Sequence, residues 1–90
     1  MESEEELFYQ SLAKEYLLHM KLQLELAVER KSTDWQELQT LGNHLRGSSA
    51  MFGYPTLSEL GAVLERAAQE KNDLTTANTL RKLLSHIRTL

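Results

Sequence analysis

Gly42-Asn43-His44-Leu45-Arg46-Gly47-Ser48-Ser49 is the stretch on which the reading of this chain turns. Around it, Leu38, Leu41, Leu45 and Phe52 recur at helical spacing as an apolar stripe, with Ser48 and Ser49 flanking it. At about 100° per residue, Asn43 falls opposite the centre of that stripe and is expected to point into solvent. Gly47 lies one turn later on the same exposed face, with Arg46 beside it. His44 falls roughly a quarter-turn off the core, on a flank. An exposed glycine in mid-helix costs up to about 1 kcal/mol relative to alanine, so Gly47 needs a reason, either close packing on the first helix or close approach of a partner. Gly42 sits nearer the core, where contact between helices explains it.

The flanking sequence predicts three further helices. One proline and four glycines in ninety residues leave few breaks. A first helix is expected from about Glu4 to Arg30, built from Leu, Glu, Lys and Ala. Within it, Leu22-Gln23-Leu24-Glu25-Leu26-Ala27-Val28 alternates like a strand, but only Val28 is β-branched and no turn signal flanks the run. Lys31-Ser32-Thr33 breaks the chain, with Thr33 and Gln36 in capping-box spacing and Asp34 placed for the helix dipole. The second helix then runs from about Asp34 to Phe52 and stops at Gly53. Pro55 opens the third, whose buried stripe is Leu57, Leu60, Gly61, Leu64 and Ala68. After Lys71-Asn72-Asp73, with Asn72 or Asp73 as cap, the fourth buries Ala77, Leu80, Leu84 and Ile87. Short connections make successive helices antiparallel, so the expected fold is an all-α, up-down four-helix bundle, one domain over residues 1–90.

Composition excludes several functions. A net charge of −3 leaves no basic footprint, and no nucleic acid is expected as a partner. With no cysteine and no three ligands at metal spacing, no disulfide, metal or cofactor is expected. There is no glycine-rich phosphate loop and no nucleophile–base arrangement, so an enzyme has no footing. The start, Met1-Glu2-Ser3-Glu4-Glu5-Glu6, is acidic where a signal peptide would be basic and then apolar, and no apolar run reaches membrane-spanning length. A cytoplasmic location without membrane contact is the expectation.

The stretch from Gly42 to Glu65 resembles the histidine phosphotransfer (HPt) family. The family pattern reads Ala-His-x-Leu-Lys-Gly-Ser, a glycine ten positions after the histidine, then Leu-x-x-Leu and Leu-Glu. Placing Leu45-Arg46-Gly47 on Leu-Lys-Gly brings Gly53 onto the later glycine without a gap, and Pro55, Leu57, Leu60, Leu64 and Glu65 onto the second half. Asn43 then occupies the phosphoacceptor position, with His44 one residue late. The resemblance implies a surface for a response-regulator receiver or a histidine kinase, formed here by Asn43, Arg46, Gly47 and Ala50. Gly47 would leave room for the partner, and Arg46 would offer charge to phosphoryl oxygens. Asn43 cannot be the nucleophile, because its amide nitrogen is delocalised into the carbonyl. An Asn-bearing chain resembles the pseudo-HPt proteins, which keep the docking surface without accepting phosphate.

Two other readings compete. An active carrier would use His44 as a displaced phosphoacceptor, although Arg46 and Gly47 would then be out of place. A structural or dimerising bundle would have an HPt surface without a partner. The first helix bears on the second: Leu17, Met20, Leu24 and Val28 lie on one face, and Leu18, Leu22 and Leu26 form another row. A helix wedged between two neighbours would bury both rows, as in a monomer. An exposed second row would instead make a homodimer or a dock for a partner helix. Burial of both rows is the expectation.

Overall fold

The computed structural model of the chain describes residues 3–30 and 34–90. Four helices, α1 (Glu4–Glu29), α2 (Trp35–Met51), α3 (Pro55–Gln69) and α4 (Asp73–Ile87), pack as a bundle. Their starts are set by side chains that satisfy otherwise unpaired amides. Ser3 Oγ accepts from the Glu6 amide at 3.2 Å, Asp34 Oδ1 from Glu37 at 3.1 Å and Asn72 Oδ1 from Thr75 at 3.0 Å. The expected break at Lys31-Ser32-Thr33, and Thr33 as a cap, lie outside the described residues; Asp34 itself caps α2. Pro55 opens α3 at its first turn.

The turns follow from backbone conformation. Gly53, at φ 84°, ends α2, and the Tyr54 amide reaches back to the Ser49 carbonyl at 2.8 Å. The same device closes α3 with Lys71 at φ 53°, where a side chain must tolerate the left-handed region. The Asn72 amide returns to the Ala67 carbonyl at 2.9 Å. α1 and α2 run antiparallel, since Tyr9 donates to the Met51 carbonyl at 2.7 Å and Tyr16 meets Ser49 at 2.8 Å. α2 and α3 are antiparallel too, Ser58 lying against Arg46 and Glu65 against Asn43.

The core is aliphatic. Leu24, Leu38, Leu45, Leu57, Leu64 and Leu83 are fully buried, each such side chain contributing about 1.5–3 kcal/mol. α2 and α3 come closest, because two glycines meet there. A Cβ on Gly42 would stand 2.5 Å from the Glu65 amide nitrogen, and one on Gly61 2.7 Å from that of Arg46. Contact between helices thus accounts for Gly42, as its position implied.

Several expectations need correction. Ser49 does not flank the core but lies wholly inside it, its hydroxyl paired with Tyr16. Leu60 and Ala77 are only half-buried, whereas Leu83, Thr76 and Thr79 are buried on α4. Thr79 enters the core because its hydroxyl donates to the Thr75 carbonyl at 2.6 Å and so carries no unmet polarity inward. The larger correction concerns α1. Leu18, Leu22 and Leu26 are 60%, 52% and 39% exposed, so the second row is not buried. α1 is not wedged: it packs mainly on α4 and only lightly on α2, leaving a groove of about 540 Å³ between α1 and α2. At about 1.5 Å per residue it is also the longest helix, and residues 4–12 are all exposed. Tyr9 ties that end to α2, its ring 5.7 Å from Phe52, on which Tyr16 also stacks at 4.9 Å.

Candidate functional site

The middle of α2 presents the residues singled out in the sequence. Asn43, His44, Arg46, Gly47 and Ala50 are all exposed, while Leu45 between them is completely buried and fixes the rotation of the helix. A Cβ added at Gly47 would meet nothing within 4 Å. Packing on α1 therefore does not explain this glycine; its backbone lies bare on the surface.

Asn43 and Arg46 are joined by a residue of α3. Glu65 Oε2 accepts from Asn43 Nδ2 at 2.8 Å, and Oε1 accepts from Arg46 Nε at 3.0 Å. Glu65 can serve both because Asn43 and Arg46 are three residues apart and Gly42 and Gly61 let the two backbones close. The Glu65 side chain is 17% exposed and that of Arg46 51%. The carboxylate is thus mostly withdrawn from water and held by two donors, while half the guanidinium remains open to a partner. Ser58 donates to the Arg46 carbonyl at 2.6 Å, tying the start of α3 to the same turn.

This clasp decides what the site can do chemically. Only the amide nitrogen of Asn43 can donate to a carboxylate, so the amide is oriented as well as non-nucleophilic. Arg46 already has a partner, and its positive charge is partly offset. His44 is elsewhere: it lines the α1–α2 groove together with His19, whereas Arg46 is turned towards α3. Two residues along a helix is about 200° of rotation, so His44 and Arg46 leave α2 on different sides.

Sequence reasoning missed three contributors here. Met51, 69% exposed, extends the Asn43–Gly47 face by one turn, and a methionine four residues after the glycine was its available signal. Glu65 was placed on the family pattern without a role, and Ser58 carried no signal at all. Below the face, Tyr16 supports Ser49 from the core. Burial pushes its phenol above the ordinary value, with the Ser49 and Ser48 hydroxyls pulling the other way.

The model of the Hpt domain matches residues 7–90. No curated protein and no solved structure matches the chain. Hpt domains carry phosphoryl groups in phosphorelay signalling; they interact with receiver domains and histidine kinases, and they are carriers rather than catalytic enzymes. The chain belongs to the Hpt domain family.

Proposed function

We propose that this chain is a single Hpt module that docks a receiver domain or histidine kinase without accepting the phosphoryl group. It acts as a competitor, scaffold or allosteric adaptor in a phosphorelay. The observation that carries this reading is the contrast among its helical glycines. Gly42 and Gly61 are held by backbone contacts, whereas Gly47 faces open space beside Asn43, Arg46 and Ala50. A bare helical backbone is a loss of stability unless something approaches it closely. A receiver closing over this face would find the exposed half of Arg46, the flat surface at Gly47 and the apolar side chain of Met51.

The Glu65 clasp supports the second half of the proposal. It holds Asn43 as a neutral donor at the place where a carrier needs a lone pair. Binding of purified receiver and kinase domains to the wild type and to Gly47→Gln tests the docking face by calorimetry. The substitution fills the open space, and affinity is expected to fall by roughly tenfold or more with helicity unchanged. A best-binding partner indifferent to Gly47→Gln would refute the docking face.

A further inference from the structure

The exposed side of α1 carries a second pattern, independent of the Asn43 face. Phe8, Leu12, Glu15, His19, Leu22 and Leu26 follow one another at alternating steps of four and three residues, the spacing of a coiled-coil seam. All six are exposed; Phe8 is 67% and Leu22 52% accessible. None of the three other helices covers them, and residues 4–12, about the first two and a half turns of α1, are all exposed. Of the seam residues, His19 borders the groove between α1 and α2, while Asn43 is turned to Glu65 on α3.

The order of residues is complementary to its own reverse: apolar, apolar, acid, histidine, apolar, apolar. We propose that α1 pairs antiparallel with α1 of a second copy of this chain, about a two-fold axis at the level of Leu17. In that register Phe8 meets Leu26 of the second copy, Leu12 meets Leu22, and Glu15 meets His19. The two-fold repeats each layer. An imidazole N–H opposite a carboxylate gives a hydrogen-bonded pair twice over, at the centre of the seam. Leu18, 60% exposed, falls beside the axis and closes over its counterpart. The overhanging start of each α1 is covered by the later half of the other, over roughly 27 Å at 1.5 Å per residue.

Charge excludes the alternatives. A parallel pair sets Glu15 against Glu15 and His19 against His19. Slipping the antiparallel pair by one heptad sets Glu15 against Leu26 in one direction and against Leu12 in the other, burying an unpaired carboxylate. The polar layer thus selects one register, the role single polar layers play in paired helices. Glu5 and Glu29, the one like-charged pairing, fall at the outer ends, beyond the apolar layers.

Sedimentation equilibrium of the whole chain from micromolar to millimolar concentration tests the pairing. The wild type is expected to dimerise, and Leu22→Lys to be a folded monomer that melts like the wild type at concentrations low enough for the wild type to be monomeric too. His19→Glu, which sets acid against acid, is expected to weaken the dimer by roughly tenfold or more, and Glu15→Lys/His19→Glu to restore it. Because the chain has no cysteine, a mixture of Leu12→Cys and Leu22→Cys reports orientation. A disulfide between the two variants, much faster than within either alone, is the antiparallel result. A wild-type monomer throughout the range, a dimer insensitive to Leu22→Lys, failure of the charge swap to rescue, or disulfides formed equally by each variant alone would each overturn the proposal. So would loss of folding in Leu22→Lys, which would place Leu22 in the core.

Discussion

Replacing the helical glycines one at a time by alanine separates packing from exposure. At Gly47 the new methyl meets nothing within 4 Å, so only helix propensity acts. Gly47→Ala is expected to gain about 0.8–1 kcal/mol. For a domain of this size that raises the melting temperature by about 4–8 °C. At Gly42 the methyl carbon would lie 2.5 Å from the Glu65 nitrogen and 2.8 Å from the Gly61 carbonyl oxygen; at Gly61 it would lie 2.6 Å from Leu45 Cβ. The crowding atoms include backbone, which cannot rotate aside, so α2 and α3 must separate. Overpacking of this kind costs about 1–3 kcal/mol, against which the same propensity gain is set. Urea denaturation at unchanged m should place Gly42→Ala and Gly61→Ala roughly 1–3 kcal/mol below Gly47→Ala. If Gly42→Ala were as stable as Gly47→Ala, the close α2–α3 approach would be wrong, and with it the contrast that singles out Gly47.

Two further outcomes follow from the groups around the site. Arg46→Ala and Glu65→Ala should show a coupling of about 0.5–1 kcal/mol in a double-mutant cycle, small because half of Arg46 is in water; no coupling would mean that the clasp does not form in solution. Tyr16→Phe should cost about 1 kcal/mol at neutral pH through loss of the Ser49 hydrogen bond. Because burial raises the Tyr16 phenol in the fold, the folded chain keeps that proton to higher pH than the unfolded chain does. The associated stability is present below about pH 10 and is lost as pH rises beyond it. The gap between wild type and Tyr16→Phe should therefore narrow in alkali, and a widening gap would contradict the burial of the phenol.

Much of the bundle was legible in the sequence because its signals are local. A cap at Asn72, a stop at Gly53, a start at Pro55 and a leucine stripe on α3 each act within one or two turns, whereas at the start of α2 the cap is Asp34, which the sequence pattern marks only as a dipole partner beside Thr33. The outward direction of Asn43 and Gly47 was legible for the same reason, since a stripe that buries Leu38 and Leu45 fixes the opposite face. What periodicity cannot give is which neighbour lies on a given side. That is why the exposed row on α1 was expected to be covered: the amount of apolar surface is readable, but the distance from α1 to α2 is not. Glu65 was invisible as a partner of Asn43 and Arg46 because that contact depends on two glycines on different helices meeting. Buried Ser49 and Thr79 broke the apolar rule by finding partners in Tyr16 and in the Thr75 carbonyl.

Phosphoryl transfer from a phosphorylated receiver domain tests the central claim most directly. Wild type, Asn43→His and His44→Ala are each incubated with the receiver, and acid-labile phosphate on the chain is measured. The account predicts none on the wild type or on His44→Ala. It predicts label on Asn43→His, where Glu65 would accept from one ring nitrogen and leave the other free to attack. Acid-labile label on the wild type that vanishes in His44→Ala would contradict it and make this chain a working carrier through His44.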